Sequence, residues 1–210
     1  MQELKRAINH AKETTSPSLP YTPLDRETLN LCAYANASIA NKDDHVSQIG
    51  YVVLLCDSTD NCPVLAYWSK RAHRVVWSIM AENANALADA FDAACIIKND
   101  LARIYRQHRP LLMLTELKQM FEVVTKASHT AGKRLRIDVA AAPEAYKRDE
   151  IYSVSFLKAE HQMADGLTNP GPWAALNAVV RKNEDTHPLR HWIVRSPVLN
   201  ERSPGGGQRG

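Results

Sequence analysis

The chain has 210 residues, of which 45% are hydrophobic and 23% charged, with a formal net charge of +3 at pH 7. This composition is typical of one globular domain with extensions, and the mild positive charge permits a polyanionic partner without arguing for one. No apolar run is long enough to span a bilayer and no signal peptide opens the chain, so we expect neither a membrane partner nor secretion.

Residues 1–27 are predicted to be an upstream connection. The spacing of Leu4 and Ile8 predicts a short amphipathic helix over 2–13. Three prolines between positions 14 and 23 cannot continue it. We interpret this segment as a linker, or as the remnant of an upstream domain.

Three strands and a long helix are predicted next. The strands are expected over 29–35, 48–56 and 63–70. The second strand is apolar on both faces, which favours a central position in a sheet. Ser78 is a suitable cap for a helix that runs to about Tyr105.

The rest of the chain alternates helices with two short strands. The apolar run 111–115 predicts a buried strand, and 118–126 predicts a helix. Pro143 interrupts a helical pattern but suits the first turn of a helix that restarts there. A strand over 154–158, helical segments over 163–167 and 174–182, and a flexible tail over 183–210 complete the prediction. The fold class is therefore α/β, a five-stranded mixed sheet flanked by helices within a domain of residues 28–182.

The four cysteines, Cys32, Cys56, Cys62 and Cys95, form no CxxC pair. Cys56 and Cys62 flank a predicted hairpin loop, an arrangement that allows a disulfide between them. Free thiols in a reducing compartment are the favoured interpretation, and this spacing does not favour a zinc site.

Five segments carry a resemblance to a known family. They are Ala-Tyr-Ala-Asn-Ala-Ser at 33–38, Tyr-Trp-Ser-Lys at 67–70, Ser-Ile-Met-Ala-Glu-Asn-Ala-Asn-Ala-Leu at 78–87, Arg-Ile-Asp at 136–138 and Gln-Met-Ala-Asp-Gly-Leu-Thr-Asn-Pro at 162–170. In these segments the chain resembles the ribonuclease H domain of a copia-type retrotransposon Pol polyprotein. The last segment is the most specific, because the family ends this domain in a Gln-x-Ala-Asp-x-Leu-Thr-Lys-Pro pattern.

The resemblance implies a ribonuclease H-like fold and an ancestral role in reverse transcription. The ancestor would hydrolyse the RNA strand of an RNA–DNA hybrid with two Mg²⁺ ions. It also implies an adjacent reverse transcriptase domain as a partner, and a location in the cytoplasm or within virus-like particles.

The family places four carboxylates around the two metal ions. In this chain the corresponding positions are Asn36, Asn83, Glu116 and Asp165, so only two are acidic. Two Mg²⁺ ions about 4 Å apart repel each other and need hard anionic ligands. In the family pattern the first acid contacts both ions, so an amide at Asn36 is the most damaging change. We therefore expect Glu116 and Asp165 to hold Mg²⁺, or Mn²⁺, weakly at best.

Glu82 does not offer an obvious replacement for the missing acid at Asn83. One residue corresponds to about 100° of rotation around a helix. Met80, Ala84 and Leu87 follow a buried stripe beside Asn83, so we expect Glu82 on the solvated face.

A basic cluster offers a candidate nucleic-acid-binding site. Its residues are Lys70, Arg71, His73 and Arg74, with Trp68 and Trp77 alongside. Basic groups interleaved with aromatic rings suit a phosphate backbone and its bases. His161, which could share a helix face with Asp165, is a weak candidate for a mobile histidine that assists turnover.

The leading interpretation is a ribonuclease H-like domain that is inactive or nearly so. One alternative is a non-catalytic module that binds nucleic acid or packs against a polymerase domain. The other is a weakly active nuclease that uses Mn²⁺ and a single well-held ion.

Overall fold

A computed structural model describes residues 2–13, 19–38, 47–72, 78–126, 141–169 and 174–183. Its centre is a five-stranded sheet in the order β3-β2-β1-β4-β5. The strands are β1 Asn30–Ser38, β2 Gln48–Cys56, β3 Val64–Arg71, β4 Leu111–Thr115 and β5 Ser153–Phe156. The pairs β1–β2 and β2–β3 are antiparallel, whereas β1–β4 and β4–β5 are parallel. The predicted five-stranded mixed sheet is therefore confirmed.

The helices lie close to their predicted positions. They are α1 Gln2–Glu13, α2 Ile79–Tyr105, α3 Lys118–Lys126, α4 Ala141–Lys147, α5 Asp165–Thr168 and α6 Ala174–Lys182. Ser78 caps α2 by accepting a hydrogen bond from the Ala81 amide, and Pro143 lies in the first turn of α4. None of the described helices is long and apolar enough to cross a bilayer.

Helices cover both faces of the sheet. Leu31, Ala33 and Ala35 of β1 belong to one buried cluster, which includes the core residues of α2 and α3. Cys32 and Tyr34 belong to a second cluster on the opposite face, where α6 contributes Val179. Since successive side chains of a strand point to opposite faces, the run 31–35, which is buried on both sides, consists of hydrophobic residues.

The first strand is longer than the sequence pattern indicates. It continues past Ala35 to Ser38, and Asn36 pairs with Gly50 of β2. Asn36 is therefore fixed inside a ladder of backbone hydrogen bonds rather than at a strand end.

Some predicted features fall outside the described residues. They are the turn at 41–44, the basic residues His73 and Arg74, the Arg-Ile-Asp segment at 136–138 and the tail from 184 onward.

Candidate functional site

Three of the four predicted site positions meet at one end of the sheet. Since β1 and β4 are parallel, Asn36 near the end of β1 and Glu116 just after β4 lie at the same end. Asp165 opens α5, and its Oδ1 lies 3.2 Å from Asn36 Nδ2. Burial, and after it the negative charge of Asp165, raises the pKa of Glu116 above its ordinary value. The fold thus brings together the two acids that remain.

The side chain of Asn36 is fixed by three hydrogen bonds. Its Nδ2 donates to Asp165 Oδ1 and to Thr168 Oγ1, both at 3.2 Å. Its Oδ1 accepts the Ala37 amide at 2.8 Å. The reverse orientation would set an oxygen against a carboxylate and an NH₂ group against an N–H, so the hydrogen-bond pattern determines the orientation. The Asn36 oxygen therefore turns toward its own backbone, and its nitrogen toward Asp165.

A second amide contacts the same carboxylate. Asn169 Nδ2 also donates to Asp165 Oδ1. Two neutral NH₂ groups thus face one carboxylate oxygen, which in a metal site would face a cation. Sequence comparison with the family pattern marks Asn169 only as a departure from lysine, although its i, i+4 spacing from Asp165 is compatible with this contact.

Further hydrogen bonds join α5 and the turn before it to β1. Ser38 Oγ donates to the Thr168 carbonyl at 2.8 Å. Gln162 Nε2 donates to the Ala35 carbonyl at 3.0 Å, and its Oε1 accepts the Ala164 amide. We refer to the side chains of Asn36, Ser38, Gln162, Asp165, Thr168 and Asn169 as the polar network. Apart from Asn36 and Asp165, sequence analysis did not assign these side chains a role in the site.

Gly50 permits the close approach of α5 to the sheet. A Cβ atom at Gly50 would lie 3.0 Å from Leu167 Cβ and 3.1 Å from Thr168 Cγ2. Gly50 is the direct partner of Asn36 in the β1–β2 ladder. A larger residue would therefore push Asp165 and Thr168 away from Asn36.

Asn83 is buried but makes none of these contacts. It is 4% exposed, and its Nδ2 donates to the Ile79 carbonyl within α2 at 2.9 Å. Its Oδ1 has no hydrogen-bond partner in the described part of the chain. The amide thus turns back to its own helix.

The prediction that Glu82 is solvated is wrong. Glu82 is 0% exposed, and neither carboxylate oxygen has a hydrogen-bond partner among the described residues. Five consecutive residues, from Met80 to Ala84, are buried. The helix is thus buried all round over Met80–Ala84, so the rotation of one residue does not take Glu82 to solvent.

The candidate nucleic-acid site is only partly described. Lys70 Nζ forms an ion pair with Asp89 Oδ2 at 2.8 Å, which offsets its charge. Arg71 is exposed at the end of β3, while Tyr67 and Trp68 are 64% and 53% exposed. The described part of the cluster therefore exposes two aromatic rings, and the charge of one of its two basic residues is offset by an ion pair.

The prediction that His161 shares a helix face with Asp165 is wrong. His161 ends a separate 3₁₀ turn, Ala159–His161, whereas Asp165 begins α5. Its Nε2 lies 3.4 Å from Glu160 Oε1. The i, i+4 spacing therefore does not place the two side chains on one helix face, because the backbone changes direction between the two residues.

No family model matches the chain, and no curated protein matches it either. Among solved structures, LC11-RNase H1 in complex with an RNA/DNA hybrid is similar, with a TM-score of 0.53 at 14% identity over 70% of this chain and 99% of that chain. The chain has a ribonuclease H-like fold.

Two further structures have similar scores. LC11-RNase H1 isolated from compost gives a TM-score of 0.50 at 13% identity, over 67% of this chain and 93% of that one. RNase H1 from the halophilic archaeon Halobacterium salinarum gives 0.49 at 17% identity, over 67% and 95%. The two LC11-RNase H1 structures confirm the fold expected from the resemblance, and at these identities the similarity is one of fold.

The ribonuclease H-like fold implies a pair of divalent metal ions, and the residues of this site do not fit them. Asn36 and Asn169 direct N–H groups at the Asp165 oxygen that a cation would need. Asn83 directs its amide at a helix carbonyl. Within the described ranges, no three His, Cys, Asp or Glu side chains lie close enough to hold a metal ion. Two carboxylates and inward-facing amide donors do not offset the charge of two dications.

Proposed function

We propose that this chain is a ribonuclease H-like domain of copia-type retrotransposon origin that cuts RNA–DNA hybrids poorly or not at all. The observation that carries the proposal is the pair of amides on one carboxylate. Asp165 Oδ1 accepts N–H groups from both Asn36 and Asn169. A metal ion at that oxygen must first displace both donors.

The energetics of the polar network support this proposal. A hydrogen bond to a charged acceptor contributes about 1.5–3 kcal/mol. Binding of a metal ion at Asp165 would break such bonds, and it would gain only Glu116 as a second carboxylate. Metal Lewis acidity supplies several kcal/mol to phosphodiester hydrolysis. Weak metal binding therefore translates into a large loss of rate.

The ancestral substrate that we propose is an RNA–DNA hybrid. LC11-RNase H1, which shares the fold, has been solved in complex with one. The resemblance to a copia-type Pol polyprotein supports an adjacent reverse transcriptase domain as a partner. It also supports a location in the cytoplasm or within virus-like particles during reverse transcription.

Two specific observations favour the alternative functions. Tyr67 and Trp68 are both exposed on the edge strand β3, on opposite faces of the sheet, and each ring could stack on a base, which suits a module that binds nucleic acid. The charge of Asp165 contributes to the raised pKa of Glu116, so the two acids interact electrostatically, which favours a nuclease that holds a single Mn²⁺ ion.

A revertant experiment tests the proposal. The parent chain and the triple variant Asn36→Asp, Asn83→Glu, Glu116→Asp are incubated with a labelled RNA–DNA hybrid in Mg²⁺ or Mn²⁺. We expect the variant to cut in Mg²⁺ at a rate at least about 100-fold above the parent, in line with the several kcal/mol at stake. Cutting by the parent at a comparable rate in Mg²⁺ would contradict the proposal.

The controls separate the remaining alternatives. Asn30→Asp is a matched substitution on the same strand at the opposite end from the site, and it should create no activity. Cutting by the parent in Mn²⁺ alone indicates the single-ion nuclease. Salt-dependent retention of hybrid by both chains, with no cutting by either, indicates the binding module.

A further inference from the structure

Three buried cysteines lie at the end of the sheet opposite the polar network. Cys32 lies near the start of β1, Cys56 ends β2, and Cys62 follows the hairpin loop. None of the three forms a disulfide in this structure, and all are 0% exposed. The Cys32 and Cys62 thiols are close enough to the Cys56 thiol to contribute to its raised pKa.

The register of the β2–β3 hairpin places Cys56 directly opposite Cys62. Leu54 pairs with Val64, the Leu55 amide donates to the Pro63 carbonyl, and the Asp57 amide donates to the Asn61 carbonyl, the last two at 3.1 Å. Cys56 and Cys62 lie between these two hydrogen-bonded positions, so they form a non-hydrogen-bonded pair.

A β-bulge creates this register. Val53 pairs with Ala66, but Leu54 pairs with Val64, so Leu65 is the extra residue. If the earlier register had continued, Cys56 would face Pro63 instead of Cys62. The bulge therefore aligns the two cysteines.

The two pairings that involve Cys56 differ in geometry. Residues in a non-hydrogen-bonded antiparallel pair have Cα atoms about 4.5 Å apart, within the range of roughly 4.4–6.8 Å for disulfides. Cys32 pairs with Leu54 and Asn30 with Cys56, so Cys32 and Cys56 are diagonal neighbours. Diagonal neighbours are roughly 7–8 Å apart. The backbone thus permits a Cys56–Cys62 bond and disfavours a Cys32–Cys56 bond.

We infer that Cys56 and Cys62 are a modification site, which a small disulfide of the glutathione class converts to an intrachain disulfide. One thiolate of the pair attacks glutathione disulfide, forms a mixed disulfide and releases a glutathione thiolate. The other thiolate attacks the protein sulfur of the mixed disulfide, forms the Cys56–Cys62 bond and releases the second glutathione. The pair loses two electrons to the oxidant, and both thiol protons pass to glutathione.

Burial makes the reaction slow in the native state. Burial, and after it the neighbouring Cys32 and Cys62 thiols, raises the pKa of Cys56 well above its ordinary value. The Cys62 amide donates to the carbonyl of Asn183, the residue after α6, at 2.6 Å. Opening of the hairpin end therefore separates it from α6, and a disulfide restrains that opening.

The test exposes the full chain to glutathione disulfide in excess over glutathione, both natively and during refolding from urea. We expect loss of two thiols, a mass decrease of two hydrogen atoms and one cross-linked peptide that joins Cys56 to Cys62. Native oxidation should be at least about tenfold slower than oxidation during refolding. Comparable rates would contradict the role of burial, and a fully reduced chain after refolding would overturn the proposal.

Matched alanine variants assign the pair. Cys32→Ala and Cys95→Ala should still form the disulfide, whereas Cys62→Ala should not. A cross-linked peptide that contains Cys32, or loss of the disulfide in Cys32→Ala, would overturn the assignment. If Cys62→Ala fails to fold, the peptide map of the oxidised chain without substitutions decides the pairing by itself.

Discussion

Two places in this fold carry asparagine where the copia-type ribonuclease H domains that the chain resembles carry a metal-binding acid, and they differ in how their polar atoms are satisfied. In the polar network, Asn36 has a partner for both its nitrogen and its oxygen. In the first turn of α2, Asn83 Oδ1 and both oxygens of Glu82 are buried without a hydrogen-bond partner among the described residues. The polar atoms of Asn36 are thus satisfied within the protein, whereas those of Asn83 and Glu82 retain a desolvation cost.

The largest expected effect comes from restoring the acid in the network. Asn36→Asp sets a carboxylate against Asp165 and removes two donated hydrogen bonds. We expect the free energy of unfolding at pH 7 without metal to fall by about 3 kcal/mol. Millimolar Mg²⁺ should recover part of this loss, because it offsets the new repulsion. Urea unfolding with and without Mg²⁺ measures both effects, with Asn30→Asp as the control; equal stability of the two variants would show that the network contributes little.

The packing that supports the network should be nearly as sensitive. Gly50→Ala forces α5 away from the sheet, since the new Cβ would approach Leu167 and Thr168 too closely. Overpacking of this kind costs about 2 kcal/mol. Thermal unfolding measures the loss, and amide exchange at Ala37 should increase as its bond to Asn36 weakens. Unchanged stability and exchange would mean that α5 shifts without cost.

In the first turn of α2, replacement of Glu82 by an apolar residue should raise the free energy of unfolding rather than lower it. Glu82→Met replaces a buried carboxylate that has no hydrogen-bond partner among the described residues with an apolar side chain of similar volume. We expect the free energy of unfolding to increase by about 1–2 kcal/mol, because the desolvation cost of the carboxylate disappears. Glu13→Met, at an exposed position of α1, is the control and should change stability by less than about 0.5 kcal/mol. Destabilisation by Glu82→Met would show that the carboxylate has a partner.

The smallest expected effect is a pH dependence of stability that arises from Glu116, which lies beside the polar network. The pKa of Glu116 is raised in the folded protein, so above the ordinary glutamate pKa, about 4.3, the folded state binds more protons than the unfolded state. The contribution of Glu116 to stability therefore falls as pH rises through this window. Glu116→Gln should remove that fall. The resulting gain in the free energy of unfolding should stay below about 1 kcal/mol, because solvent screens the part-exposed group.

Stability curves from pH 3 to 7 measure this difference against Glu13→Gln. A gain that is independent of pH would argue against a titrating Glu116. A gain that disappears in Asp165→Asn would identify Asp165 as the main source of the shift.

The sequence by itself determined most elements and predicted four positions of the candidate site. The bounds of β2, β4, α3 and α6 follow from local patterns, since apolar periodicity and turn residues act over only a few positions. The Ser78 cap and the first-turn Pro143 are also local signals. The resemblance of short motifs led to the fold and identified Asn36, Asn83, Glu116 and Asp165 as one set.

Only the tertiary structure decided what those residues do. The burial of Glu82 depends on what covers the first turn of α2, which no spacing within the helix can reveal. The contacts of Asn36 with Asp165 and Thr168 join residues more than 120 positions apart, and the alignment of Cys56 with Cys62 depends on a bulge at Leu65. Hydrogen-bond satisfaction and register are properties of how separate elements meet, so they cannot be deduced from any one segment.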